Sequence, residues 1–202
     1  DDCEDGNENI RAVSGRSGLW YTTTDKGTDT PAPGTSIMMP LHPAGDTGMA
    51  PESRRAFHVT ATVTGTRAIV GIDLVDPNPA PKKIYDASSY KGIRFYAKAT
   101  TDPVPIRVQF PVAATDRSVG DCNPSTSATT NRCDDHFSTI PDELTLTTEW
   151  TQYSVLFADA VQEGWGLNDL DGFTPDKLVS IHFRIEEDAD IWLDHVEFIP
   201  AD

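Results

Sequence analysis

Apolar and polar residues alternate along several short stretches of the chain, with the period of two that is typical of strands with one buried face. The clearest runs are residues 55–63, 92–98, 106–112 and 151–157. Residues 68–74 form a more continuous apolar run, and residues 19–24 are rich in aromatic and β-branched side chains, which also favours a strand. The pattern therefore predicts a protein built mainly from β-strands.

The last part of the chain predicts two more strands, over residues 178–185 and 190–199. The separator Glu186–Ala189 is short enough for a β-hairpin, so the two strands are expected to pair with each other. Just before them, Thr174 lies at a helix N-cap position and Pro175 at the first helical position, which predicts a single turn of helix.

Strands this short, separated by turns, indicate an all-β fold. The 14 glycines and 15 prolines supply many turn positions. We predict a two-sheet antiparallel β-sandwich of the jelly-roll type. At 202 residues the chain has the size of one such domain, and residues 1–202 are therefore expected to form a single domain.

The charge of the chain limits its partners. The sequence has 32 acidic and 16 basic residues and a formal net charge of −16, so phosphate groups would be repelled. Nucleic acid and anionic membrane surfaces are excluded as partners on this ground, and no apolar run approaches the ~18 residues of a membrane span. The excess of acidic over basic residues favours a neutral ligand, or a cation held by carboxylates.

Two of the three cysteines close a polar loop. Cys122 and Cys133 lie in the loop over residues 116–137, and a disulfide between them would fit a secreted, extracellular protein. The alternative, a zinc site that includes His136, is weaker because the cysteines lack a C-x-x-C partner. Cys3 is either free and buried or paired elsewhere. We predict the Cys122–Cys133 disulfide and expect the loop to form one wall of a ligand site.

Six segments resemble the β-jelly-roll carbohydrate-binding modules of secreted bacterial polysaccharide-degrading systems. They are Asp1–Gly6, Gly15–Thr22, Tyr85–Lys98, Cys133–Phe137, Thr148–Tyr153 and Ile191–Val196. The resemblance implies a galactose-binding-like sandwich, a structural calcium ion, and sugars bound across one concave sheet or at its loop edge. Residues 25–51 do not align with the family, and Cys3 stands where the family usually has an aromatic residue.

The resemblance also implies the ligands of the calcium ion. In the family, an acidic residue of the first segment and an Asp of the last strand meet at the ion. Asp2 and Glu4 project to the same side of an extended segment, and Asp194 lies in the last predicted strand. Calcium prefers six to eight oxygen ligands, so these three residues are the predicted metal site. The alternative is a solvated acidic terminus in a chain that is acidic throughout.

Aromatic side chains are the expected sugar platforms, because the C–H face of a sugar packs on a flat ring. Trp165 is the first candidate, since it lies between two glycines in a predicted loop. Trp20 and Tyr21 point to opposite faces of one strand, so at most one of them can serve the site. Tyr96 faces outward if its neighbour Phe95 belongs to the core.

Polar side chains next to such rings would bind the sugar hydroxyls. Arg107 and Gln109 share one strand face, and Arg184 shares another with His182. His136 has Asp134 and Asp135 beside it, and we interpret it first as a structural residue and second as a ligand contact. General-base catalysis by His136 has less support, because no nucleophile or second carboxylate is placed by the spacing.

These observations predict non-catalytic binding of a plant or microbial polysaccharide of the β-glucan or xylan type. A monomeric module of this kind would hold an attached enzyme or a cell surface close to the glycan and so raise its effective concentration. The alternative is an enzyme on the same scaffold, a jelly-roll polysaccharide lyase or hydrolase that acts on a similar glycan.

Overall fold

The computed structural model describes residues 1–25, 27–30, 39–75, 81–101, 103–119, 122, 133–139, 144–166 and 170–202. These residues form two antiparallel sheets that face each other, which confirms the predicted β-sandwich. The regular helical segments among them are two single 3-10 turns, Phe157–Asp159 and Pro175–Lys177. In the described ranges we find no helix whose length and apolar character would suit a membrane span.

One sheet has seven strands among the described residues, in the order β1-β4-β11-β6-β7-β10, with β8 also paired to β6. Their bounds are β1 Trp20–Thr24, β4 Ala68–Asp73, β6 Val104–Phe110, β7 Phe137–Ser138, β8 Leu144–Leu146, β10 Val161–Gln162 and β11 Ser180–Ile185. The other sheet has five described strands in the order β2-β3-β12-β5-β9. These are β2 Gly27–Thr30, β3 Phe57–Val63, β5 Tyr90–Ala99, β9 Thr151–Leu156 and β12 Ala189–Pro200.

The core lies between the two sheets and is filled by the apolar residues of each alternating strand. Phe57 and Phe95 come from the five-stranded sheet, and Trp20 and Phe183 come from the seven-stranded sheet. The Trp20 ring stacks on Phe57 with a centroid distance of 5.0 Å, and Phe183 meets Phe95 edge to face at 4.9 Å. Because every second residue is used in this core, the other half of each strand is free to form an outer face.

The predicted hairpin between the last two strands is wrong. Strand β11 belongs to the seven-stranded sheet and pairs with β4 and β6, whereas β12 belongs to the five-stranded sheet and pairs with β3 and β5. Both edges of each strand are therefore occupied by other strands. Residues 186–188 carry the chain from one sheet to the other.

The predicted helical turn is present as the 3-10 turn Pro175–Lys177. Pro175 occupies its start, as expected, but the Thr174 side chain makes no capping hydrogen bond. The Cys122–Cys133 disulfide is confirmed, and Cys3 is a buried free thiol.

Candidate functional site

The outer face of the seven-stranded sheet carries a transverse row of residues, one from each strand, that we call the front row. Register pairs place Tyr21, Gly71, His182, Gln109, Ser138 and Val161 side by side across β1, β4, β11, β6, β7 and β10. Five steps between neighbouring strands make this row roughly 24 Å long. A second row beside it contains Thr23, Ile69, Arg184 and Arg107.

Gly71 allows the Tyr21 ring to lie across strand β4. A Cβ atom at Gly71 would lie 2.2 Å from Tyr21 Cζ, so any larger residue would displace the ring. In this position the Tyr21 hydroxyl lies 2.7 Å from His182 Nε2 and accepts a hydrogen bond from Lys82 Nζ at 3.1 Å. Because Gly71 has no side chain, the Tyr21 ring can cross β4 and reach His182 at the centre of the front row.

Two buried histidines meet at the centre of this face. His182 and His136 contact each other edge to face with a centroid distance of 5.6 Å, and His136 Nδ1 lies 3.0 Å from Thr115 Oγ1. Burial lowers the pKa of His136 to about 4 and holds the pKa of His182 well below its usual value. Both rings are therefore neutral at neutral pH and act as polar, uncharged groups.

The charged side chains of the face are paired with one another. Glu163 accepts hydrogen bonds from Gln109 Nε2 at 2.6 Å and from Arg184 Nη1 at 2.9 Å. Glu186 lies 2.7 Å from Arg184 Nη2 and 3.4 Å from Arg107 Nη1. At the other end, Lys82 Nζ lies 2.7 Å from Asp73 Oδ1. These pairs leave the face close to electrically neutral.

Four buried polar atoms of the two rows have no hydrogen-bond partner among the described residues. They are Gln109 Oε1, Ser138 Oγ, His182 Nδ1 and Arg184 Nε. Buried polar atoms in folded proteins are usually paired with protein or water, because leaving one unpaired costs free energy. Four such atoms on neighbouring strands concentrate unpaired hydrogen-bonding groups on this face.

The loop over residues 116–137 that the disulfide closes is called the stapled loop, and the glycine-flanked segment 164–166 around Trp165 is called the aromatic loop. The described residues 133–137 of the stapled loop lie beside this patch and contact the aromatic loop. The buried Asp135 carboxylate accepts hydrogen bonds from the backbone amides of Gly164 at 2.8 Å and Gly166 at 3.2 Å. Trp165, between these glycines, is 43% exposed at the β10 edge of the sheet. The stapled loop and the aromatic loop therefore form one connected structure.

Five of the predicted ligand-binding residues come together on this face: Tyr21, Arg107, Gln109, His136 and Arg184. The sequence placed Arg107 and Gln109 on one strand face and Arg184 on another, and the register unites them because β6 pairs directly with β11. Trp165 lies at the edge of the same sheet.

Two predicted ligand-binding residues lie elsewhere. Trp20 is 1% exposed and stacks between the sheets, so its ring has no face to offer a ligand. Tyr96 is on the outer face of the five-stranded sheet, where it packs against a small cluster that contains Trp150 and Trp192. It therefore belongs to the surface opposite the front row.

The sequence did not single out several residues that shape the face. No sequence pattern identified Glu163, Lys82 or Asp73, because the residues they pair with lie far away in the chain. Gly71 interrupts an apolar run, which was visible, but its closeness to Tyr21 depends on the β1–β4 register. The alternation of β11 did place His182 beside Arg184.

The predicted calcium ligands have other partners. Glu4 Oε1 accepts the backbone amides of Arg54 and Arg55 at 2.6 and 2.8 Å, and Asp194 Oδ2 accepts the Ser53 hydroxyl at 2.6 Å. Across the described ranges, no group of three or more His, Cys, Asp or Glu side chains could hold a metal ion. Glu4 and Asp194 thus accept hydrogen bonds from protein groups, and calcium binding stays a prediction.

Chelation tests that prediction directly. Because protein donors already occupy Glu4 and Asp194, we expect the melting temperature to be the same with EDTA and with added calcium. Differential scanning calorimetry at matched ionic strength makes the comparison, with magnesium as the control cation. A melting temperature that falls on chelation and returns with calcium alone would contradict this expectation and support the ion.

Comparison with known proteins places the fold. No protein-family model matches the chain, and no curated protein matches it. A family 11 carbohydrate-binding module from Clostridium thermocellum, solved with a β-1,3-1,4-mixed-linked tetrasaccharide, is 18% identical with a TM-score of 0.52, and the match covers 97% of this chain and 96% of that one. The family 30 carbohydrate-binding module of the Clostridium thermocellum cellulosomal cellulase Cel9D-Cel44B is 14% identical with a TM-score of 0.56, over 97% and 98% of the two chains.

An exo-β-agarase contains the same arrangement as part of a larger chain. The match covers 100% of this chain but 24% of the agarase, at 10% identity and a TM-score of 0.53. Similarities at these identities show that the chain has the jelly-roll fold of carbohydrate-binding modules.

Proposed function

We propose that the front row and the second row bind a neutral polysaccharide chain without chemical change. The observation that carries this proposal is the group of four buried polar atoms with no partner in the described part of the chain, at Gln109, Ser138, His182 and Arg184. Each sugar hydroxyl can both donate and accept a hydrogen bond. Sugars can therefore pair with donors such as Arg184 Nε and with acceptors such as Gln109 Oε1. The exposed Trp165 ring at the β10 end of the row adds an apolar surface for the C–H face of a sugar ring.

The charges of the face favour a neutral glycan over an acidic one. Arg184 lies between Glu163 and Glu186, and Lys82 is paired with Asp73, so no cation is left over in these pairs for a uronate or sulfate. The net charge of −16 adds a long-range repulsion for any polyanion. A β-glucan or a xylan is the expected ligand class.

Two further points support this ligand class. The front row is long enough, at roughly 24 Å, to lie beneath several sugar rings of an extended chain. One protein with this fold was solved with a β-1,3-1,4-mixed-linked tetrasaccharide. By analogy of fold, we propose that the module holds an attached catalytic domain or a cell surface on the polysaccharide.

We also propose an extracellular location. The Cys122–Cys133 disulfide is stable in an oxidising compartment and would be reduced in most cytosols. Polysaccharides too large to enter a cell must be bound outside it, so the location and the ligand class agree.

One observation favours the enzymatic alternative, a lyase or hydrolase. The Tyr21 hydroxyl lies 2.7 Å from His182 Nε2, next to Gln109 and Arg184, which resembles an acid–base pair. However, burial raises the pKa of Tyr21 to about 12 and holds that of His182 well below its usual value. Efficient general acid–base groups have a pKa near the working pH, so this pair is better suited to binding.

Affinity electrophoresis against soluble glucans, xylans, mannans and uronans tests the proposal. We expect retarded migration with a β-glucan or a xylan, no retardation with a uronan, and no new reducing ends or unsaturated products. Gly71→Ala should weaken the retardation about tenfold, because its Cβ displaces the Tyr21 ring from the front row.

Thr60→Ala is the matched control, since Thr60 is exposed on β3 of the opposite sheet and should bind as the wild type does. Product formation would overturn non-catalytic binding. Equal binding by Gly71→Ala and the wild type would place the site away from the front row.

A further inference from the structure

Asp135 is a fully buried carboxylate with an unusual pair of partners. Its side chain is 0% exposed, and its two oxygens accept separate hydrogen bonds from the backbone amides of Gly164 and Gly166. These are the residues immediately before and after Trp165. One side chain thus fixes the backbone on both sides of the exposed aromatic ring.

Other hydrogen bonds tie the same two segments together. Gln162 Nε2 donates to the Asp135 carbonyl at 3.3 Å, and the Glu163 amide donates to the His136 carbonyl at 3.2 Å. Cys133, two residues before Asp135, is bonded to Cys122. The aromatic loop therefore rests on a segment whose own position is restrained by a covalent link.

A fixed loop matters for an exposed tryptophan, since Gly164 has a φ of 82° and two glycines give the backbone around Trp165 wide conformational freedom. Without restraint, the ring would sample many orientations, and binding a sugar would cost the entropy of selecting one. A hydrogen bond from each flanking amide to a buried carboxylate lowers that cost in advance.

We propose that Asp135 is a positioning residue that presents Trp165 as a platform for a sugar ring of a neutral glycan. This inference rests on the proposed function, because it assigns the aromatic platform at the β10 edge of the same site. Asp135 acts through Trp165 and does not itself touch the sugar. The stapled loop supplies the carboxylate that fixes the aromatic loop, and the aromatic loop supplies the ring that contacts the sugar.

The first test needs no ligand. Asp135→Asn replaces one carboxylate oxygen by an NH₂ group, which cannot accept a hydrogen bond from a backbone amide. Amide hydrogen exchange at Gly164 or Gly166 should therefore become at least about tenfold faster, while exchange in the core strand β11 stays unchanged. Asp134→Asn is the matched control, since Asp134 is the neighbouring carboxylate and pairs with Arg117 at the surface. Unchanged exchange at both glycines of Asp135→Asn would overturn the proposal.

The second test is a double-mutant cycle on glycan affinity, measured by calorimetry with the best ligand of the electrophoresis panel. We expect Trp165→Ala to weaken binding about tenfold or more and Asp135→Asn about fivefold. In the Trp165→Ala background, Asp135→Asn should have no further effect, because its influence passes through the ring.

The outcomes separate the two proposals. An equal loss from Asp135→Asn in both backgrounds would mean a general structural role and would overturn the positioning role. If Trp165→Ala binds glycan as tightly as the wild type, Trp165 is not a platform. The front-row site would not be affected by that result, because Gly71→Ala tests it independently. A wild-type protein that binds no glycan of the panel would overturn the proposed function and the platform together.

Discussion

Replacing Trp20 by alanine is expected to lower the free energy of unfolding by about 3–5 kcal/mol, the usual cost of removing a large buried aromatic side chain. The ring is 1% exposed and stacks on Phe57 at 5.0 Å and Phe183 at 6.4 Å. Its indole Nε1 also donates to Asp1 Oδ2 at 2.6 Å, so that carboxylate would lose a partner. Urea unfolding followed by circular dichroism measures the loss.

Trp165→Ala provides the contrast for this experiment. Because Trp165 is 43% exposed, its removal should change the free energy of unfolding by less than about 1 kcal/mol while weakening glycan binding. A Trp20→Ala protein that is as stable as the wild type but no longer binds glycan would contradict the core position and restore Trp20 as a ligand contact.

Acidification is expected to destabilise the fold by about 3 kcal/mol through His136 alone, between about pH 6.5 and pH 4. Burial lowers the pKa of His136 from 6.5 to about 4, so in this window the unfolded chain binds a proton that the folded protein does not. Stability therefore falls as the pH falls, and His182, whose pKa is also lowered by burial, adds to the loss. His195 opposes it, because the Asp194 carboxylate, 3.5 Å from His195 Nδ1, raises the pKa of His195.

Denaturant unfolding at a series of pH values measures this loss, with His136→Gln as the diagnostic variant. Glutamine removes the titration, so the dependence on pH should become shallower by about one proton over the window. His58→Gln is the matched histidine substitution, at a side chain that is 32% exposed on β3 of the opposite sheet. A pH dependence that is equally steep in the wild type and in His136→Gln would show that His136 binds its proton equally in the folded and unfolded states.

The sequence predicted most strands because the long strands place alternate apolar residues in the core. Alternation located β3, β5, β6 and β9 to within a few residues. The short strands β2, β7 and β10 gave no such signal, since two to four residues cannot show a period. Alternation reports which face of a strand is buried but not which sheet the strand joins, and this is why the β11–β12 hairpin was predicted wrongly.

The site was predictable only in part for the same reason. Arg107 and Gln109 were found because strand period places them on one face of β6, and Arg184 was found because the same period places it with His182 on one face of β11. Trp20 and Tyr21 were equivalent candidates until the structure showed which face of β1 is buried. Gly71 and Asp135 act through contacts with residues distant in the chain, so their roles depend on strand register and loop packing that no local pattern contains.

The crossing at residues 186–188 has a consequence for how the protein folds. Strand β11 is flanked by β4 and β6 in one sheet, and β12 is flanked by β3 and β5 in the other. Each of these two late strands is therefore an interior strand of its own sheet. During synthesis, β3, β4, β5 and β6 all leave the ribosome with an open edge on the side that β11 or β12 will occupy. Such edges promote pairing with other chains. The nascent chain thus stays vulnerable to aggregation until its final strands emerge, when both sheets can close almost together.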